Sequence, residues 1–185
     1  MQDKKKYFLV YFSLVFLKNF IGNFYLSTGF LVAKIWDLAA WFLGGALGWN
    51  LLFIDQLLWV YFSHPEAELS KEVKTLVDQG RYKAVYRFLK EKEDKQQHRA
   101  FKNFLFQISW LVLTIFVMTS TAGLFGKGLV MGVGLHLLIE EWQSFQSQGN
   151  FDWLFWQMKE KLDQHGQKIF LYLVSGFFIL FSLTV

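Results

Sequence analysis

The chain has 185 residues, 54% of them hydrophobic and 20% aromatic, with 22 Phe, 8 Trp, a single Pro and no Cys. The missing cysteine excludes a disulfide framework, a thiolate nucleophile and a Cys-based zinc or iron–sulfur centre, and the length leaves no room for a large soluble catalytic domain beside spans of roughly 20 residues each. The net charge of +4 comes from basic residues flanking apolar runs, a pattern of topology signals and anionic-lipid contacts rather than of nucleic-acid binding.

The fold class this predicts is all-α, a polytopic membrane helix bundle of about five spans with a small cytoplasmic helical hairpin and an interfacial helix. Residues 1–63 hold spans one and two. Span one, 7–32, follows Lys4, Lys5 and Lys6 in the manner of a signal peptide, with Ser27-Thr28-Gly29 as a small-residue cleavage site. However, Lys18 and Asn19 interrupt the run and a second apolar stretch follows at once, so it reads as a retained helix, crossing, re-entrant or interfacial. Span two covers 37–62.

Residues 64–103 read as a cytoplasmic αα-hairpin and charged linker. Ser63-His64-Pro65-Glu66 has capping-box spacing. Leu69, Val73, Leu76 and Val77 form one apolar face, Asp78-Gln79-Gly80 a break, and Tyr82, Val85, Tyr86 and Leu89 a second face. Spans three and four fill 104–142, divided at Gly123. In 143–168, Phe151, Leu154, Phe155, Met158 and Leu162 recur at helical spacing beside Trp153 and Trp156. This predicts an interfacial amphipathic helix along the headgroups, with packing on the hairpin as the alternative. Span five is 169–185.

Lys4 to Lys6, the ten basic residues between His64 and Asn103, and Lys159, Lys161 and Lys168 all fall on one side if the N-terminus is cytoplasmic and five spans cross. The opposite side keeps Lys34 and Lys127. The positive-inside bias then places the C-terminus outside.

Polar residues inside apolar spans each require a partner or a purpose. In span four, Gly128 and Gly132 have the small-xxx-small spacing that lets a second helix backbone approach. Its Gly-x-Gly repeats are no nucleotide loop, since no strand precedes them and no Gly-Lys-Ser/Thr follows. His136 and Glu140, four residues apart, share a helix face on which they could hold a metal or a proton. They are weak metal candidates alone, because zinc takes three or four protein ligands. Asp55 on span two is the candidate third member, since it and His136 both sit roughly 9–10 Å from the same end of their spans at 1.5 Å per residue.

The expected site is thus a polar intramembrane cluster of Asp55, His136 and Glu140, with Asn50, Gln56, Gln107 and Ser109 in the same half. The structural alternative pairs Asp55 with Lys18 or hydrogen-bonds it to His136, and leaves Glu140 and Glu141 in the headgroups. No catalytic residue is assigned, because no serine sits in a Gly-x-Ser-x-Gly elbow. His64, His98 and His165 lie in polar segments and read as solvated. Trp36, Trp59, Tyr61, Trp110 and Trp142 read as interface belt or packing.

The stretch from Thr119 through Phe125-Gly126-Lys127-Gly128-Leu129-Val130-Met131-Gly132 to Leu138 resembles a segment of small multi-pass membrane proteins of bacterial candidate phyla. The resemblance implies a bacterial inner (plasma) membrane protein and brings no known activity or binding residue with it. The function expected from the sequence is a non-enzymatic integral membrane protein acting as a structural or assembly partner through its cytoplasmic helices. The alternatives are a small transporter or channel-like protein using Asp55, His136 and Glu140, and a membrane metalloenzyme. The transporter lacks visible inverted repeats, which a homo-oligomer could replace. No cofactor is implied; the expected partners are the lipid bilayer and a protein partner or second copy, with no nucleic acid.

Overall fold

A computed structural model describes residues 2–21, 28–92, 96, 99–160 and 162–184, and these form helices and connectors with no strand among them. Helix α1 is Gln2–Ile21, α2 Thr28–Leu58, α3 Glu68–Asp78, α4 Tyr82–Glu91, α5 Phe104–Thr119, α6 Leu124–Gln148 and α7 Gln164–Thr184. Ile35–Ser63 and Gln164–Thr184 are long and apolar enough to cross a membrane; Lys6–Val15 and Phe104–Thr119 are apolar but shorter. Residues 28–32, expected in span one, belong to α2, while Ser27 and His98 lie outside the described residues.

Side-chain contacts fix the directions of the five long helices. Positions 41, 45 and 49 of α2 meet 128, 132 and 136 of α6 in step, so these two run parallel. Helix α1 opposes both, with Lys4 at Glu140, Phe8 on Trp49 and Phe12 on Trp41. Helix α5 opposes α6, with Gln107 at Glu141 and Trp110 at Val130. Helix α7 runs with α5, since Phe104 meets Phe170 and Trp110 meets Phe177. Direction therefore alternates along the chain from one long helix to the next.

The α2–α6 seam is built from glycine. A Cβ placed on Gly44 or Gly48 would overlap the carbonyl oxygen of Phe125 or Leu129, and one on Gly128 or Gly132 would overlap that of Trp41 or Gly45. Each helix thus presents a Gly-x-x-x-Gly pair to the other's backbone, a close approach that gains van der Waals contact and weak Cα–H···O bonds. The neighbouring helices use the remaining bare backbone. Phe12 of α1 lies on Gly45, and Trp110 of α5 lies on Gly134 while its indole N–H donates to the Val130 carbonyl at 2.9 Å.

Large apolar side chains also point outwards. Leu9 and Leu14 of α1, Leu43 and Leu47 of α2, Val112 and Phe116 of α5, and Leu173 and Leu180 of α7 are all exposed, whereas Asp55, Gln107, Glu140 and Glu141 are buried. Exposed large apolar side chains in this number suit a surface that faces lipid or a partner.

Beyond α2 the chain stays helical as a π turn, Trp59–Ser63, in which the His64 N–H donates to the Trp59 carbonyl at 2.8 Å. Ser63 therefore ends one helix instead of opening the next, and α3 starts at Glu68 without a side-chain cap. The turn between α3 and α4 places Gly80 at a φ of 67°, a left-handed conformation that suits glycine. Val73, Val85 and Leu89 of this hairpin pack on Trp59 and Val60.

The amphipathic helix expected within 143–168 does not form. Gly149 takes a φ of 73° and caps α6, and only a 3-10 turn, Asp152–Leu154, follows before α7. Phe151, Leu154 and Phe155 are fully buried against α6 and α7, so their helix-like spacing reflects a plug and not an interfacial stripe. Buried Gln167 clamps this plug, accepting from Phe151 N at 2.8 Å and donating to Asp152 Oδ1 at 2.7 Å and the Leu162 carbonyl at 3.0 Å. Trp153, expected in the headgroups, instead donates its indole N–H to Ser144 Oγ at 3.1 Å, and Trp156 is half-buried.

Gly132→Ala should force the two backbones apart and cost about 1–3 kcal/mol, as overpacking does. Gly176→Ala, in open space on α7, should be neutral or add about 0.5–1 kcal/mol of helix propensity. Thermal unfolding of both variants in detergent, followed by circular dichroism, checks the contrast.

Candidate functional site

The connector before α5 folds over that helix's N-terminus. Asn103 is the cap, its Oδ1 accepting from Phe106 N at 2.8 Å while its amide donates to the Ala100 carbonyl. This closed turn aims Arg99 and Lys102 into the bundle, where both are buried. The N-terminal turn of α1 brings Lys4 to the same level, and the middle of α6 brings His136 and Glu140.

Glu140 is the centre. Its carboxylate, 6% exposed, takes Lys4 Nζ at 3.3 Å and His136 Nε2 at 3.1 Å on Oε1, and Lys102 Nζ on Oε2. The other His136 nitrogen, Nδ1, lies 2.7 Å from the Trp49 carbonyl, and the imidazole stacks on the Trp49 ring at 4.5 Å. Both nitrogens face acceptors, so the ring donates to both only when each nitrogen carries a proton. Glu140 and Glu141 thus do not sit among headgroups: Glu141 is fully buried and receives the Gln107 amide N–H.

Asp55 is 1% exposed, and Lys102, which acts on its carboxylate and pairs with Glu140, links it to His136 and Glu140. The Ala100 and Phe101 backbone amides and the charges of Arg99 and Lys102 act on its carboxylate, though neither oxygen closes a hydrogen bond of full geometry. It does not pair with Lys18, whose ammonium reaches the Leu183 carbonyl at the far end of the bundle. Among the described residues no three of His, Asp and Glu gather as a metal-holding group. The His136–Glu140 pair is engaged by two lysines and the Trp49 carbonyl.

A cavity of about 400 Å³ opens beside this centre, between α1, α2, α4 and α6. Lys4, Lys90, Lys102, His136 and Glu140 line its polar part with Asn50 and Gln56, and Phe8, Leu9, Ala46, Leu52 and Phe53 its apolar part. Ser109 is exposed elsewhere on α5 and takes no part. In comparisons with family models, curated proteins and solved structures, nothing matches the chain.

The helical spacing of His136 and Glu140 identifies two members of this centre. Lys4, Lys90, Lys102 and Arg99 carry no such signal, since each sits in a lysine-rich stretch indistinguishable from solvated surface.

Glu140→Gln would remove the carboxylate charge that Lys4, Lys102 and His136 share, and breaking a buried pair costs about 3–5 kcal/mol. Adding Lys102→Met should restore part of that loss, so the double variant is more stable than the sum of the two single changes. A double-mutant cycle on unfolding in detergent measures the coupling.

Proposed function

We propose that this chain is a five-span integral membrane protein without an enzymatic role, and that its lysine-rich end is a cytoplasmic binding and assembly surface. The observation that carries this reading is the alternation of the five long helices within a belt of exposed Leu, Val, Ile and Phe. Most of the Lys and Arg lie at one end of that belt. Helices α1, α5 and α6 complete the five crossings, and α6 tolerates His136, Glu140 and Glu141 because each is turned into the bundle.

Binding is favoured over passage by what fills the rest of the interior. Towards the far end from Glu140, the axis is packed by Phe12, Trp41, Trp110, Val130, Met131 and Phe178, and the α2–α6 seam is closed by backbone. A conducting path would have to part that seam.

Because the chain lacks cysteine, single cysteines report sidedness directly. Tyr82→Cys in the hairpin and Thr121→Cys between α5 and α6 should react with a membrane-impermeant maleimide from opposite faces of inverted vesicles. Labelling of both from one face would show that α5 does not cross. In proteoliposomes carrying a pH-sensitive dye, the expected proton flux equals that of empty vesicles. Flux above that level, lost in Asp55→Asn, would replace the binding role with transport.

A further inference from the structure

We infer that the cavity between α1, α2, α4 and α6 holds the phosphate headgroup of an anionic phospholipid, with the head against Lys90 and Lys102 and the acyl chain along Leu9 and Ala46. This rests on the membrane reading above and names the ligand class of the same end of the molecule.

Three features converge on that ligand. The first is charge: three lysines and His136 line the cavity against one carboxylate, Glu140, so the lining retains a positive excess after the central ion pairs are made. An anion with several acceptor oxygens is the complement of such a wall. The second is the length of a lining that is both polar and apolar. Lys90 and Gln56 stand at the hairpin end, while Ala46 lies ten residues back along α2, roughly 15 Å away at 1.5 Å per residue. A free phosphate would use only the polar part; a lipid uses both. The third is access. Leu9 is 57% exposed on the outer face of α1, so the apolar end opens sideways onto the belt and a chain can remain in the bilayer while its head is bound.

Lys90 is the residue to vary. It belongs to α4, its ammonium lies 5.8 Å from the centre of the Tyr86 ring, and it is outside the ion-pair set of Glu140, so Lys90→Met should leave the fold intact. Titration calorimetry of delipidated protein in non-ionic detergent, with dihexanoyl phosphatidic acid, dihexanoyl phosphatidylcholine and inorganic phosphate in separate arms, tests the proposal. We expect phosphatidic acid to saturate one site per chain, with the choline lipid and inorganic phosphate each at least about tenfold weaker. Lys90→Met should weaken phosphatidic acid about tenfold at unchanged melting temperature.

Equal affinity for the choline lipid, or an unaffected Lys90→Met variant, would overturn the headgroup assignment. Inorganic phosphate binding as tightly as phosphatidic acid would overturn the lipid in favour of a free phosphate. Because the probes are soluble and act in detergent, absence of binding would sink the lipid site without touching the topology, and misplaced cysteine labelling would sink the topology without touching the site.

Discussion

The bundle is organised around a close approach of two backbones, those of α2 and α6. With Gly44 and Gly48 facing carbonyls of α6, and Gly128 and Gly132 facing carbonyls of α2, the helices approach as near as their main chains permit. In a lipid surrounding, where apolar burial between helices gains little, such packing is the main source of association. The seam is parallel, and parallel neighbours cannot be joined by a short turn. The chain must return to the starting end before α6 begins, and the α3–α4 hairpin with α5 supplies that return. Topology at the polar end therefore follows from the glycine seam.

The same register brings the Trp49 carbonyl to His136 and hence sets the level of the charged centre. Lys4 comes from α1, Lys102 from the connector and His136 from α6 itself, so one buried carboxylate ties three separate parts of the chain together. Desolvating these groups costs several kcal/mol per ion, and a well-packed apolar replacement would often be as stable. A buried charge set of this kind is therefore weak evidence for net stability. Here it also leaves cationic side chains on the wall of a cavity, a use that an apolar core would not provide.

How far the sequence reveals this depends on whether a feature is local. The Gly128 and Gly132 spacing and the His136–Glu140 pair lie within one helix and are legible as such. The answering glycines are present in Gly44-Gly45-Ala46-Leu47-Gly48, but nothing local says that the two motifs meet, or that they meet in parallel. Lys4 and Lys102 look like topology signals among many. The stretch after α6 misleads in the opposite sense: Phe151, Leu154 and Phe155 have helical spacing but are buried by a plug. The local sign against a helix is Gly149 at its start; the Gln167 that satisfies the Phe151 backbone lies sixteen residues on and carries no local signal.

The distribution of polarity also decides what kind of role the centre can play. A path across the membrane needs polar groups or space at successive depths, and it needs walls that can part. Here the buried charged residues gather at one end, aromatic and aliphatic side chains fill the rest of the axis, and the glycine positions of the seam beside them close backbone to backbone. Opening it would separate main-chain contacts along several turns at once. The cavity, by contrast, is bounded on one side by α4, part of a small hairpin anchored through Trp59 and Val60, and on another by exposed apolar residues of α1. On the proposed reading a ligand enters from the lysine-rich end or from the flank and leaves the seam undisturbed, so the glycine seam serves as the scaffold and binding is confined to one end.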